Sequence, residues 1–285
     1  MPQDNLLMKM HLVYPSLTKL EKKVADFVFS APQDVVKMTI NDLASHCEVG
    51  DTTVFRFCRS MALDGYQSFK LSLALSLHIN EVLDSRNNVN IAASQDLREV
   101  VAQVSALLTD TVSDAVAILD YAAVARTVEL MLKADSIHLF GFGNSGIAAR
   151  LLQNRLIRVL PNISYVGDAH MQLTSASLLW PDSLAIVFCN SGVTVDCIKI
   201  VQMAHEAGAS TVFVTNFLQT PAREYADVLL PCGAAEGPIQ GGSIASMTAQ
   251  LFIIALLYSE TIRHMGDQAT ENKIKSAQAI AHRRL

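Results

Sequence analysis

Apolar residues recur at helical spacing through the first part of the chain. Leu17, Leu20, Val24, Phe27 and Val28 line one face of a predicted helix whose other face carries Lys19, Glu21, Lys22 and Lys23, and Pro32 stops it. A short helix fits Asp34 to Lys37. Thr39 is a good N-cap for a helix over Ile40 to His46, with Asp42 in the first turn, where the positive end of the helix dipole favours a carboxylate. The next helix starts at Gly50 or Asp51, runs to about Leu63 and stops at Gly65. A fifth begins at Tyr66 and carries Phe69, Leu71, Leu73, Leu75 and Leu77 as far as His78. So many helices in so short a stretch predict a compact bundle.

The pattern then lapses. Asp84 to Gln95 is polar, Asn-rich and without a sustained apolar period, the composition of an exposed linker. Two amphipathic helices are predicted over 96–133, and beyond them strand and helix patterns alternate. The strand candidates are Ser136 to Phe140, Ile163 to Val166, Leu184 to Cys189, Thr211 to Thr215 and Val228 to Pro231. Helical stretches near 145–159, 169–179, 194–207 and 219–226 separate them, and a long helix, Ser243 to Met265, follows. Repeated β-α units call for a parallel sheet covered on both faces. The expected architecture is an N-terminal all-α helix-turn-helix bundle over 1–80, a linker over 81–95, and a C-terminal α/β domain over 96–285 with its parallel sheet flanked by helices on both faces.

Composition adds limits. With 285 residues, 51% hydrophobic and 17% charged, the chain can bury two cores and is expected to be folded rather than disordered. The longest uninterrupted apolar run, Leu251 to Tyr258, is far short of the roughly 18 residues a membrane span needs, and Met1 to Leu12 makes a poor signal peptide. No membrane association is expected, and the cytoplasm is the expected compartment. Five cysteines (47, 58, 189, 197, 232) without a Cys-x-x-Cys pair fit reduced, buried thiols better than disulfides or a metal site, so neither metal nor cofactor is expected. The net charge of −5 excludes a broadly basic nucleic-acid coat. Residues 1–80 are themselves balanced, with eight basic and eight acidic side chains. Any DNA affinity must come from local clustering and from pairing of two half-sites.

Two stretches carry candidate chemistry. The helices joined by the tight Cys47 to Gly50 connection have the spacing of a helix-turn-helix, with the second as recognition helix. On it Thr52, Thr53, Phe55, Arg56, Arg59 and Ser60 are available to a partner, and Lys70 on the next helix is placed to clamp a phosphate backbone. A plain helical bundle with two surface arginines has the same periodicity. In the second half, Gly141-Phe142-Gly143-Asn144-Ser145-Gly146 follows the first strand, and Asn190-Ser191-Gly192-Val193-Thr194 follows the third. Glycines allow close backbone approach, hydroxyls donate hydrogen bonds, and each loop opens a helix whose N-terminus favours an anion. Either loop alone reads equally as a capped turn, the second with Thr194 as the cap. Two at the carboxyl ends of strands in one parallel sheet favour a common crevice for a phosphorylated ligand.

Taken together, these stretches resemble the RpiR family of bacterial transcription regulators. The residues that carry the likeness are Pro15-Ser16-Leu17-Thr18 through Asp26, Thr39-Ile40-x-Asp42-Leu43-Ala44, Thr53 through Arg59, Gly65-Tyr66 and Phe69-Lys70. In the second half they are Gly141-x-Gly143-x-Ser145, Asp168-Ala169-His170 and Ser191-Gly192-x-Thr194, similar to the sugar isomerase (SIS) domain. The resemblance implies a homodimeric or homotetrameric regulator, often a repressor of sugar catabolism, that binds a double-stranded DNA operator and takes a phosphorylated sugar as effector. It implies that Ser145, Ser191 and Thr194 hold the phosphate, that Gly143 and Gly192 offer backbone, and that Asp168 and His170 meet the sugar; Glu236, beside Gly233, Gly237 and Pro238 in the loop before the last helix, is expected to bind a ligand hydroxyl. Cys189 stands where the second loop often has serine, Gly50 where a capping serine is common, Phe55 where a polar residue is common, and Met247 where an arginine is frequent.

SIS domains also serve enzymes, so an aldose-ketose isomerase is the competing expectation. It needs a base, for which Glu236 is the candidate, and an acid, for which His170 or His264 is. The regulator reading assigns no catalytic residue.

Overall fold

The structure, a computed structural model, describes residues 6–87, 96–233 and 244–281, which fall into two compact units. The first is all helical: α1 Leu6–Val13, a 3₁₀ turn at Tyr14–Ser16, α2 Lys19–Ser30, α3 Pro32–Lys37, α4 Ile40–His46, α5 Asp51–Ser60 and α6 Tyr66–Asn87. Met10, Val24, Val28, Val35, Leu43, Val54, Phe57, Phe69 and Leu73 are fully buried in one core. Pro32 does not merely stop α2. It occupies the first position of α3, where its missing N–H costs nothing.

Local chemistry sets the starts of α2 and α4. Thr18 and Thr39 each accept from the backbone N–H three residues on, while Glu21 and Asp42 reach back to the capping residue's own N–H. The ends of α4 and α5 differ from expectation. Both close in the hydrogen-bond pattern of a Schellman turn, with Val49 N–H on Ala44 O at 2.9 Å and Leu63 N–H on Cys58 O at 3.1 Å. The left-handed position is filled not by glycine but by Glu48 and Ala62, both at φ 53°. Hence α5 stops at Ser60, short of the predicted Leu63 and Gly65. α6 runs on through Asn87, so residues 81–87 of the expected linker are helical, and 88–95 lie outside the described residues.

The second unit contains α7 Leu97–Ala117, α8 Tyr121–Lys133, β1 Ser136–Gly141, α9 Asn144–Leu156, β2 Ile163–Tyr165, α10 Ala169–Ala176, β3 Ser183–Phe188, α11 Val195–Glu206, β4 Ser210–Thr215, β5 Val228–Pro231, α12 Ile244–Met265 and α13 Asp267–Ile280. The stretch near 219–226 is a 3₁₀ turn, Pro221–Glu224, rather than an α-helix, with proline at its start. The five strands are all parallel in the order β2-β1-β3-β4-β5. β3 is buried along its whole length: Leu184, Ile186 and Phe188 join the core beneath α8, α9 and α12, and Ala185 and Val187 join the core beneath α10 and α11.

Run length concealed one property. α7 and α12 are long and apolar enough, by averaged composition, to cross a membrane. α12 buries Ala249, Ile253, Ile254 and Leu257 against the sheet, and α7 packs on α12 through a face that includes Leu107, Thr111 and Ala115. α13 is tied back by Arg158, which donates to Ser276 Oγ at 2.9 Å and Lys273 O at 3.2 Å.

Glu21 joins the capping of α2 to α5, since Ser60 Oγ donates to its carboxylate at 3.2 Å. Burial works to raise the Glu21 pKa, but hydrogen bonds from the Thr18 side chain and backbone and from Ser60, with the Arg56 charge, hold it below its ordinary value. A depressed folded pKa contributes stability that is present above the ordinary carboxylate pKa and lost as pH falls through the folded one. Glu21→Gln is therefore expected to destabilise α2 and α5 by about 1 kcal/mol at neutral pH, read by hydrogen exchange, with the gap to the parent closing in acid. A gap independent of pH contradicts this reading.

Candidate functional site

β1 and β3 are adjacent, yet their crossovers leave in opposite directions, to β2 on one side and β4 on the other. Ligands of open α/β sheets bind outside the strand carboxyl ends at such a switch point. The two glycine-containing loops follow these two strands.

The first loop is closely confined. The buried Gln172 carboxamide accepts from Gly141 N–H and donates to Gly141 O, both at 2.9 Å. A Cβ on Gly141 would lie 2.6 Å from the Ser145 carbonyl oxygen, so only glycine lets the chain double back there. Gly143, the N-cap of α9, has φ 56° and ψ −131°, a conformation open essentially to glycine alone. In the second loop Ser191 and Thr194 hydroxyls lie 3.3 Å apart, and Gly192, at φ 69°, passes so close to Thr215 that a Cβ would meet its hydroxyl at 3.0 Å. Ser145 Oγ bridges the loops, accepting from Asn190 N–H and from the Gln250 amide, each at 3.4 Å. Asn190 in turn donates to Ser246 Oγ at 2.9 Å.

Neither α9 nor α11 has a side-chain cap. Thr194 is the N-cap residue of α11, but its hydroxyl pairs with Ser191 instead of closing the helix. Two helix N-termini therefore keep first-turn N–H groups uncapped by a side chain beside three hydroxyls, an arrangement suited to a phosphate dianion. Cys189 lies beneath the loop, fully buried, with Sγ 3.8 Å from Ser191 Oγ. Hydrogen bonding to Cys197 lowers the Cys189 pKa, aided by Thr194 and Ser191, and raises that of Cys197.

In the helical unit, α4, the Cys47–Gly50 turn and α5 form the helix-turn-helix. Thr52, Phe55, Arg56 and Arg59 are exposed at i, i+3, i+4 and i+7, one stripe along α5. Three other candidates are engaged elsewhere. Thr53 is buried in the bundle, Ser60 hydrogen-bonds Glu21, and Lys70 Nζ donates to Met38 O at 3.1 Å, closing the end of α3. Arg59 meets Asp64 at 3.1 Å, an exposed pair of small energetic worth that a phosphate can displace. Gly50 leaves α5 without a side-chain cap, and Asp51 occupies its first turn.

Comparison with known proteins agrees with both halves. The helix-turn-helix domain of the rpiR family matches residues 4–79, and the SIS domain matches residues 130–260. An uncharacterised HTH-type transcriptional regulator of Haemophilus influenzae is 32% identical over 99% of this chain and 98% of its own length. This chain belongs to the RpiR family. Among solved structures, the Vibrio vulnificus NanR protein complexed with ManNAc-6P is 26% identical and covers 99% of this chain and 100% of its own, with a TM-score of 0.62. The sugar isomerase domain of an RpiR transcription factor from Sphaerobacter thermophilus is 20% identical, covers 63% of this chain and 99% of its own, and shares the fold at a TM-score of 0.57.

As an RpiR-family member the chain is a DNA-binding transcriptional regulator with a SIS domain. The remaining expected ligand residues are distributed unevenly. Asp168 is the N-cap of α10 and accepts from Met171 N–H at 2.9 Å, so part of its carboxylate is committed to the helix. His170 is exposed in the first turn of α10. Glu236 lies outside the described residues. His264 is at the far end of α12 from Ser246, about 27 Å along the axis at 1.5 Å per residue, and it bonds Glu260; it is not a crevice acid. Sequence reasoning missed Gln172, Ser246 and Gln250, all buried polar residues at the crevice. Ser246 and Gln250, polar residues four apart on one face at the start of a helix whose middle is apolar, were the available signal.

Gly141→Ala is expected to cost the second unit about 1–3 kcal/mol through overpacking against backbone, measured as a lower urea midpoint of Trp180 fluorescence. An unchanged midpoint would mean that the loop is not confined as described.

Proposed function

We propose that this RpiR-family regulator is a repressor of genes for sugar or amino-sugar catabolism and that a phosphorylated sugar, bound in the crevice between the β1 and β3 loops, alters its affinity for operator DNA. The observation that carries this reading is the pair of helix N-termini, α9 and α11, left without side-chain caps beside Ser145, Ser191 and Thr194. The likeness to NanR, solved with ManNAc-6P, supports a phosphosugar and favours an amino sugar. Gly143 and Gly192 supply close backbone, His170 meets the sugar, and Asp168 and Glu236 complete its hydroxyl contacts. The chain works as a homodimer or homotetramer in the cytoplasm, since paired half-sites double the phosphate contacts that a nearly neutral DNA-reading unit can make. It acts by binding rather than by isomerisation. The relatives matched over 85% or more of their own length are named as HTH-type transcriptional regulators, and of the two expected acids only His170 is near the strand carboxyl ends.

Isothermal titration of the full chain with hexose and amino-sugar 6-phosphates, each paired with its unphosphorylated parent, tests this. One phosphosugar is expected to bind at least about tenfold more tightly than its parent, the worth of one or two charge-assisted hydrogen bonds. Ser191→Ala is expected to remove much of that difference. Equal binding of phosphorylated and parent sugars, or turnover of the phosphosugar, would overturn the proposal.

A further inference from the structure

The stripe Thr52, Phe55, Arg56 and Arg59 holds one residue that neither donates nor accepts. Phe55 is 46% exposed in the middle of it, while its neighbours Val54, Phe57 and Cys58 fill the core. A single exposed apolar residue is ordinary on a protein surface, but Phe55 is distinguished by its placement. Its ring lies over Gly65, where a Cβ would stand 3.4 Å from the ring edge, so the next segment supports it from behind without covering it. Thr52, one turn before, and Arg56 and Arg59, beside and after it, are the side chains with chemistry for phosphates and base edges.

The major groove offers one apolar feature, the C5-methyl group of thymine. We propose that Phe55 is a specificity determinant of this regulator: its ring packs against a thymine methyl in each half-site, while Arg56 and Arg59 supply phosphate or guanine contacts. The inference rests on the assignment of α5 as recognition helix. Removing a methyl from a buried apolar contact is worth about a fourfold change in affinity per half-site. Arginine contacts would by comparison be salt-dependent and insensitive to the methyl group.

The test uses the full chain and a duplex that it has itself enriched from a random DNA pool. Replacing each thymine in turn by deoxyuridine removes the methyl and leaves base pairing intact. At one position per half-site, the parent protein is expected to lose about fourfold in affinity. Phe55→Ala should bind the unmodified duplex more weakly and lose nothing further on that replacement, whereas Phe55→Leu should keep part of the sensitivity. Equal losses for parent and Phe55→Ala, or no loss in either, overturn the proposal while leaving DNA binding itself established. So does a Phe55→Ala variant that turns a dimer into a monomer with unchanged methyl sensitivity, which would assign the ring to a second copy of the chain. Failure to enrich any duplex would instead strike at the recognition-helix assignment and take the proposal with it.

Discussion

The parallel pairing of β1 with β3 is the constraint on which the ligand-facing chemistry depends. Because the crossovers from the two strands depart to opposite sides, α9 and α11 both begin at the gap beside their shared carboxyl end. A gap of this kind would ordinarily leave orphaned backbone groups that water or a cap must satisfy. Here the capping hydroxyl of Thr194 is engaged with Ser191, and Gly143 has no side chain to offer. The crevice is preorganised by partners that are themselves fixed: Gln172 holds the start of one loop, and Gln250 and Ser246 hold Ser145 and Asn190 from α12. Such supporting contacts hold the loops in place, so the proposed anion would cost them little freedom on binding.

The helical unit solves a different problem, that of presenting one helix at a fixed angle from a very small core. Capping boxes start α2 and α4, and left-handed turns at Glu48 and Ala62 end α4 and α5 within two residues. Placing non-glycine residues there costs about 1–2 kcal/mol each, which the fully buried Leu43, Val54, Phe57 and Met61 offset. What emerges on the outer face is sparse. Two arginines, a threonine and a phenylalanine are too few for tight non-specific binding; the half-site pairing proposed above would supply the remaining contacts.

The strands were readable because most of their residues are buried and appear as short apolar runs, β3 along its whole length; predicted and observed ends agree within a residue for all five. Helix starts at Thr18 and Thr39 follow from local capping chemistry. Helix ends were harder: Glu48 and Ala62 are held left-handed by hydrogen bonds and core packing, and nothing in their identity announces it. α1 escaped notice because Leu6, Leu7 and Met10 are buried without a clear apolar stripe in the sequence. At the crevice the glycine and hydroxyl loops are local signals, whereas Gln172 and Gln250 reach their partners across 31 and 105 residues, a distance that only the folded chain closes.

On the proposed function, one chain couples a phosphate-holding crevice to a DNA-reading helix. By linkage, an effector that shifts DNA affinity must have its own affinity shifted by DNA in the same ratio. The most direct measurement is fluorescence anisotropy of the full chain on DNA upstream of its own and neighbouring genes, titrated with and without sugar phosphates. Specific, salt-sensitive binding is expected, with a Kd that one phosphosugar moves by about fivefold or more. Specific DNA binding that no phosphosugar moves, at concentrations where one demonstrably occupies the crevice, would contradict it.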